Sequence, residues 1–139
     1  MFLLDTNVLS ELMRPMPDPR VVQWIDRIPE WDLWISTITV AEIHLNIALL
    51  DDGQRKRKLG DLAEQMFRED FEGRILPFDY HAATEYAKVV VHRSRIGRPI
   101  SVEDAQIAAI ARTADLSIAT RNTKDFHDIQ GIDLSNPWI

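Results

Sequence analysis

Cysteine is absent from the 139-residue sequence. The chain therefore has no disulfide framework, no thiolate metal site and no cysteine nucleophile, so any metal ion must be bound by oxygen or imidazole. The same absence fits a reducing compartment, and we expect a cytoplasmic protein. No apolar run approaches the roughly 18 residues of a membrane span, and no basic segment followed by a long apolar stretch opens the chain. We expect a soluble protein that does not contact a membrane.

Glycine is scarce too, with only five residues that are never grouped, which excludes a glycine-rich phosphate-binding loop. Internal repeats and low-complexity segments are also absent. Hydrophobic residues make up 45% and charged residues 27% of the chain, an ordinary globular composition. A chain of this length buries about two thirds of its unfolded surface in one core. We therefore expect a single domain over residues 1–139.

Basic residues are outnumbered, because 16 Lys and Arg face 22 Asp and Glu and leave a net charge of -6. This balance argues against a broad nucleic-acid surface, which normally shows an excess of Lys and Arg. Basic residues nevertheless cluster at 55–58 and again at Arg93, Arg95 and Arg98. Local positive strips are therefore conceivable, but we interpret both clusters as solvated helix ends.

Apolar residues follow strand-like and helix-like patterns in alternation along the chain. The predicted strands are 2–4, 33–36, 74–78, 116–119 and 131–134, and the predicted helices are 7–13, 21–28, 39–50, 58–71, 80–97 and 101–112, with a helical turn at 123–126. Repeated strand–helix alternation predicts the α/β class, with helices on both faces of a mostly parallel sheet.

Four of the acidic residues stand apart because they follow or interrupt apolar segments: Asp5, Glu42, Asp104 and Asp125. Three of them, all except Asp104, come just after a predicted strand, at the edge where parallel α/β sheets bind ligands. Carboxylates a few ångströms apart repel one another, and such a cluster persists mainly when a cation holds it. Mg²⁺ and Mn²⁺ prefer oxygen ligands of this kind. Asp104 follows a helix instead, so its spacing alone does not bring it to this edge.

Helix capping is the alternative for each of these acids. A capping residue followed three positions later by an acid that bonds back is a known helix start. This spacing occurs three times, in Ser101 with Asp104, Thr39 with Glu42 and Asn122 with Asp125. Asp5 can be a plain N-cap. Capping stays open for any one acid, whereas three acids at one edge favour a cation site.

The motifs LLDTNVLSE, ITVAEI, VEDAQIAAIA and IATRNTKDF, with NPW near the end, occur in this order along the whole chain. Together they resemble PIN-domain ribonucleases, and more narrowly the VapC-type toxins of type II toxin–antitoxin systems. The stretches LSE, GRILPF and NPW are most similar to the FitB branch. The resemblance implies a three-layer α/β/α sandwich around a five-stranded sheet. It also implies an endoribonuclease that binds Mg²⁺ or Mn²⁺ and hydrolyses RNA with a metal-activated water.

Site residues follow from this resemblance position by position. Asp5 and Asp104 correspond to the main metal-binding aspartates and Glu42 to a third acid, while the small polar residues near the site are Thr6, Asn7, Ser101 and Thr120. Asn122 departs from the pattern, since FitB-like members commonly carry aspartate there. A second metal ion would then be held more weakly, and Asp125 either acts directly or only caps.

The resemblance implies partners as well as chemistry. Besides the RNA substrate, we expect a cognate antitoxin that lays an apolar strip beside the site and sends an Arg or Lys toward its acids. We also expect a homodimer, and contact with operator DNA through the antitoxin. The four tryptophans are interpreted as core or dimer contacts, and His44 as a surface or supporting polar residue.

Two rival functions remain. A Mg²⁺-dependent aspartyl-phosphate phosphotransferase would place its nucleophile in the DTN stretch, but such enzymes usually carry a second Asp where this chain has Asn7. No suitably placed lysine motif follows. The other rival is a non-catalytic protein-interaction module in which all four acids are helix caps.

Overall fold

A computed structural model describes residues 1–139 as five strands and six helices, with a pair of helices after each of the first three strands. The strands are β1 (Phe2–Leu4), β2 (Leu33–Ser36), β3 (Ile75–Leu76), β4 (Ser117–Ala119) and β5 (Leu134–Ser135). The helices are α1 (Thr6–Leu12), α2 (Pro19–Asp26), α3 (Thr37–Ala48), α4 (Gln54–Gln65), α5 (Tyr80–Arg95) and α6 (Val102–Thr113). Single helical turns occupy 30–32 and 123–126, and a π-helical turn at 66–70 extends α4.

Two predicted boundaries are wrong. The last strand starts at Leu134 and not at Gly131, because Gly131 has a φ of 85° and Ile132 N still bonds to Ile129 O across a turn. Helix α4 begins at Gln54, one turn before the predicted start, and its N-cap Gly53 has a φ of 158°, outside the helical region. Neither change alters the predicted α/β class.

The sheet has the strand order β3-β2-β1-β4-β5, and every neighbouring pair is parallel. The chain moves outward from β1 through β2 to β3 and then returns to the other side of β1 for β4 and β5. The carboxyl ends of β1 and β4 therefore form the point at which the winding direction reverses. Ligands bind at this point in open α/β sheets.

Helices cover both faces of the sheet, which confirms the predicted three-layer α/β/α sandwich. Successive strand residues point to opposite faces, so Leu3 packs with α5 and α6 whereas Leu4 packs with α1 to α4. Ile118 and Ala119 of β4 divide in the same way. The first core contains the alanine-rich face of α6, and the second contains the aromatic end of α4. Two apolar layers thus fix the strand ends that carry the polar residues described below.

Candidate active site

Asp5 and Thr120 lie side by side at the point where the sheet reverses. Asp5 N donates to Ala119 O (2.9 Å), which continues the β1–β4 ladder by one residue. The Asp5 carboxylate accepts from Thr6 N (2.8 Å) and from Thr120 Oγ1 (2.8 Å), so Asp5 is the N-cap of α1 as well as a cleft residue. The alternative of a plain N-cap is therefore partly right, because capping takes up one carboxylate oxygen.

Asn7 joins this pair to the loop that follows β4. Its Nδ2 lies 3.3 Å from Thr120 Oγ1 and 3.4 Å from Asp5 Oδ2, while its Oδ1 accepts from Arg121 N at 3.3 Å. Thr120 Oγ1 also accepts from Asn122 N at 3.1 Å. The buried Thr120 hydroxyl is thus the centre of a network that connects β1, α1 and the loop after β4.

Glu42 reaches the same cleft from α3. Thr6 Oγ1 donates to Glu42 Oε1 (3.1 Å) and lies 3.1 Å from the buried Thr39 hydroxyl. Helix α3 is capped by Ser36, whose hydroxyl accepts from Thr39 N at 3.2 Å. The prediction that Thr39 and Glu42 form a capping pair is wrong, because the helix begins at Thr37 and Glu42 lies inside it. The Glu42 carboxylate is therefore directed into the cleft by a side-chain bond, not by a helix cap.

Asp104 enters from the first turn of α6. Ser101 caps this helix, since its hydroxyl accepts from Asp104 N at 3.2 Å. Half of the predicted capping pair is thus confirmed, but no bond returns from Ser101 N to the Asp104 carboxylate. Asp104, which the strand spacing could not place, lines the cleft with Asp5, Glu42 and Asp125. The packing of α6 across the strand ends brings it there.

Asp125 and Asn122 belong to the loop after β4. Both side chains line the cleft, but Asn122 makes no side-chain capping bond, and the turn is closed by Asp125 N donating to Asn122 O (3.0 Å). The predicted Asn122–Asp125 cap is therefore wrong. Because the side chains of both residues are free of that role, both are available to a ligand in the cleft.

Arg93 fixes this loop from beneath. It is only 4% exposed, and its guanidinium donates to Arg98 O (2.8 Å), Asp125 O (2.8 Å) and His127 O (3.2 Å). The interpretation of this basic cluster as a solvated helix end is wrong for Arg93. Its bonds tie the segment that leads into α6 to the segment that carries Asp125. The buried Arg93 guanidinium thus connects the segments that lead to Asp104 and carry Asp125.

The carboxylates raise one another's pKa. Burial is the main cause of the raised pKa of Asp5, and the charge of Asp125 adds to it, while the bonds from Thr120 and Thr6 oppose it. Burial, followed by the charge of Asp5, raises the pKa of Asp104 to about 6. The pKa of Glu42 is also raised, by burial first and then by the charges of Asp5 and Asp104. The acids therefore lie close enough to repel, and protonation or a cation relieves that repulsion.

The cleft has a volume of about 620 Å³ and is lined almost entirely by polar side chains. Sequence reasoning missed seven of its lining residues, namely Ser10, Glu11, Arg14, Asn46, Arg55, Arg121 and Trp138. Glu11 carried a signal, because the LSE stretch places an acid six residues after Asp5. Glu11 is buried but engaged, since its carboxylate accepts from Arg14 Nη1 (3.2 Å) and from Asp18 N (3.0 Å).

The donor set of the cleft fits a hard divalent cation, because it offers carboxylate, amide and hydroxyl oxygens and no sulfur or imidazole. No three acids or histidines converge closely enough to bind one ion directly. Mg²⁺ retains several waters and is commonly held by one or two carboxylates, so a pair of these acids is sufficient. His44 lies at the surface against Phe67, as predicted, with its ring centroid 5.3 Å from that of Phe67. No helix has the length and apolarity that a membrane span requires.

A PIN domain model matches residues 2–132, so the chain belongs to the PIN domain family. The fold and the resemblance predicted from the sequence are thereby confirmed. That residues 1–139 form one such domain stays a prediction.

Named relatives agree in sequence and in structure. The chain is similar to Toxin FitB of Neisseria gonorrhoeae, with 44% identity over 99% of each chain. It is also similar to VapC ribonuclease Y4jK of Sinorhizobium fredii, with 38% identity over 99% of this chain and 98% of that one. Among solved structures, FitAB bound to an IR36 DNA fragment matches with a TM-score of 0.91 and 42% identity, covering 100% of this chain and 96% of that one.

Proposed function

We propose that this protein is a Mg²⁺- or Mn²⁺-dependent endoribonuclease and the toxin of a type II toxin–antitoxin pair. The observation that carries the proposal is the cleft in which Asp5, Glu42, Asp104 and Asp125 meet at the reversal point of the sheet. Three of these acids have a raised pKa, which is the state expected of ligands that await a cation. The PIN family assignment and the relatives named a toxin and a ribonuclease support the same reading.

Asp5, Glu42 and Asp104 would hold the cation, directly or through water. A bound divalent cation supplies an activated water and offsets negative charge on the phosphate. Asp5 is oriented by Thr6 N and Thr120 Oγ1, and Glu42 by Thr6 Oγ1. The side chain of Ser101, the N-cap of the same helix, hydrogen-bonds the Asp104 carboxylate. No histidine lines the cleft, so we assign no dedicated side-chain base, and Asp125 supports the site as a further acid.

The rival functions receive less support. Glu42 and Asp125 are not caps, so an interaction module in which all four acids cap helices does not account for the cleft. A phosphotransferase reading needs a second acid where Asn7 stands, and Asn7 is occupied by bonds to Thr120 and Arg121. No lysine lines the cleft either.

An apolar groove of about 470 Å³ borders the cleft and supports the antitoxin part of the proposal. Seven of its lining residues are hydrophobic, and they come from α1, α3 and α4 together with Met13 and Leu50: Leu12, Met13, Ile43, Ile47, Leu50, Leu59 and Leu62. Ser10, Arg14, Asn46 and Arg55 line both the groove and the cleft. An apolar antitoxin segment in this groove could place an Arg or Lys among the acids, where it would compete with the metal. Contact with operator DNA through the antitoxin, a homodimer and a cytoplasmic location belong to the same proposal.

Cleavage of RNA by the purified chain tests the catalytic part. Total cellular RNA should be cut in the presence of Mg²⁺ or Mn²⁺, and cutting should stop when EDTA is added. A double variant, Asp5→Asn with Asp104→Asn, purified in the same way, reveals any contaminating nuclease. Equal cleavage by the double variant, or no cleavage with either metal, would refute the nuclease.

Co-expression tests the partner. The small gene immediately upstream should encode a protein that co-purifies with this chain, and the complex should cut RNA more slowly than the free protein. If no partner co-purifies, or if the complex is as active as the free chain, the antitoxin part fails while the nuclease can still stand.

A further inference from the structure

Arg121 is an exposed arginine at the rim of the acidic cleft, and it makes no ion pair. Of the neighbouring arginines, Arg14 is paired with Glu11 at 3.2 Å and Arg20 with Asp18 at 2.8 Å, whereas Arg55, where the cleft borders the apolar groove, is also unpaired. The Arg20 bonds lower the pKa of Asp18 to about 2, which keeps that pair ionised. Arg121 therefore retains a full positive charge at the edge of a cleft that otherwise repels anions.

The backbone of Arg121 is held on both sides. Its N–H donates to Asn7 Oδ1 (3.3 Å), and its carbonyl accepts from Asn136 Nδ2 (3.4 Å). Asn136 Oδ1 in turn accepts from Trp138 N at 2.9 Å. The NPW segment, to which the catalytic proposal assigns no role, thus binds the carbonyl of Arg121 through Asn136.

The side chain of Arg121 is also supported. Its guanidinium carbon lies 5.2 Å from the centroid of the Trp138 ring, and Trp138 is only 4% exposed. Contact with an aromatic face steadies a cation without cancelling its charge, as a carboxylate pair would. A charged group that is already positioned loses less entropy when it binds a ligand. Trp138 is therefore a core residue, as expected, and it also supports a cation at the cleft.

RNA brings several phosphates to the cleft, whereas the acids and their cation can serve only those at the cleaved bond. A neighbouring phosphate would face carboxylates without compensation. The guanidinium fork matches phosphate oxygens and can bond two of them. Arg121 also lines a shallow cleft that continues past Arg14 and Arg20, which provides a path for the strand beyond the site.

We propose that Arg121, held by Asn136 and Trp138, binds a backbone phosphate of the RNA next to the cleaved bond. This inference rests on the proposed ribonuclease function and assigns the substrate contact that the NPW segment supports. Arg121 is a binding residue and not part of the cation site.

Binding of a short fluorescein-labelled single-stranded RNA of mixed sequence tests this inference. Anisotropy is measured with Mg²⁺ over a series of KCl concentrations, in an Asp104→Asn background that prevents cleavage. Arg121→Ala should weaken binding several-fold and reduce the slope of log affinity against log salt by about 0.7, the value for one lost phosphate contact on a single strand. Arg121→Lys should keep the slope and recover part of the affinity.

Arg57→Ala is the matched control, because Arg57 is exposed, makes no ion pair and lies outside the cleft. It removes the same charge and should leave the slope unchanged. Cleavage kinetics with Asp104 intact give a second readout, in which Arg121→Ala should raise KM much more than it lowers kcat. Thermal melting of each variant excludes unfolding.

The outcomes separate the two proposals. If wild-type protein cuts the RNA and Arg121→Ala shows an unchanged slope and KM, the phosphate contact is refuted and the nuclease stands. An Arg57→Ala effect equal to that of Arg121→Ala would also refute it, because general charge would then explain both. If wild-type protein neither binds nor cuts RNA with either metal, the proposed function and this inference are refuted together.

Discussion

Asp5 and Asp104 both stand at the start of a helix in the same cleft, yet the protein holds them in different ways. Asp5 is 6% exposed and accepts bonds from Thr6 N and Thr120 Oγ1, so the fold compensates part of the cost of burying its charge. Asp104 is half-buried, and the N-cap of its helix is Ser101. Asp5 is thus bonded to α1 and to the residue after β4, whereas Asp104 is restrained mainly by the first turn of α6. Substitutions should therefore separate folding from cation binding.

The largest effect is expected on catalysis, where the two acids should behave alike. Asp5→Asn and Asp104→Asn should each reduce metal-dependent RNA cleavage by at least about 100-fold, because loss of groups that only orient metal ligands already costs 10- to 100-fold. Initial rates with Mn²⁺ measure this. Glu103→Gln is the control, since it neutralises an exposed acid next to Asp104 and should retain activity. Unimpaired cleavage by either aspartate variant would remove that residue from the catalytic assignment.

The next largest effect is expected on the free energy of unfolding, when the hydroxyl that supports Asp5 is removed. Thr120→Val removes the hydroxyl that donates to Asp5 Oδ2 and accepts from Asn122 N, which leaves this buried Asp5 oxygen with only the longer bond from Asn7 Nδ2. We expect a loss of about 1 to 3 kcal/mol in the free energy of unfolding, measured by urea denaturation. Thr113→Val is the control, since its hydroxyl makes only a local bond to Ala109 O within α6. A loss for Thr120→Val no greater than for Thr113→Val would contradict a central role for this hydroxyl.

In the metal-free protein, the ionised Asp104 carboxylate should lower the stability of the folded state, whereas the Thr120 bond to Asp5 raises it. The folded Asp104 pKa of about 6 lies above its ordinary value of 3.8, so the folded state binds the proton more tightly than the unfolded state. The Asp104 contribution to stability is therefore greatest below pH 4 and is lost as the pH rises through about 6. Asp104→Asn removes this loss. We expect its Tm to exceed that of wild-type protein by a few degrees at pH 7 and the difference to vanish near pH 4.

Ser101→Ala separates this effect from capping. It removes the acceptor for Asp104 N and should lower stability by about 1 kcal/mol at either pH. Differential scanning fluorimetry in EDTA measures both variants. If Asp104→Asn lowers the Tm at pH 7 as Ser101→Ala does, the Asp104 carboxylate stabilises the helix start and repulsion in the cleft is not its main effect.

The sequence was sufficient for the number of strands and for three of the four acids, because residues that follow parallel strands must share one edge of the sheet. It could not place Asp104, whose position depends on how α6 packs across the strand ends. It also missed the burial of Arg93, since a helix-end arginine looks solvated until three carbonyls from other segments surround it. Capping patterns misled for Glu42 and Asn122. The spacing of residues in the sequence does not show at which residue a helix begins. Helix α3, for example, begins directly after β2 with Ser36 as its N-cap.

The smallest effect is expected at Asn122, where the resemblance to FitB-like proteins leads one to expect aspartate. Asn122 lines the cleft and is exposed, and its side chain makes no capping bond. Asn122→Asp therefore adds one charge beside Asp5 and Asp125 without disturbing the hydrogen bonds that hold them. We expect Mn²⁺ to bind a few-fold more tightly by isothermal titration calorimetry, because an added carboxylate is a hard oxygen ligand. The added repulsion should also lower the Tm of the metal-free protein slightly, and Mn²⁺ should reverse this.

Lys124→Ala is the matched control, because it also makes the loop more acidic by one unit but lies outside the cleft. If the Mn²⁺ affinity rises equally in both variants, the net charge of the loop determines the affinity, and residue 122 is not a ligand position. No change for Asn122→Asp would place residue 122 outside the cation site.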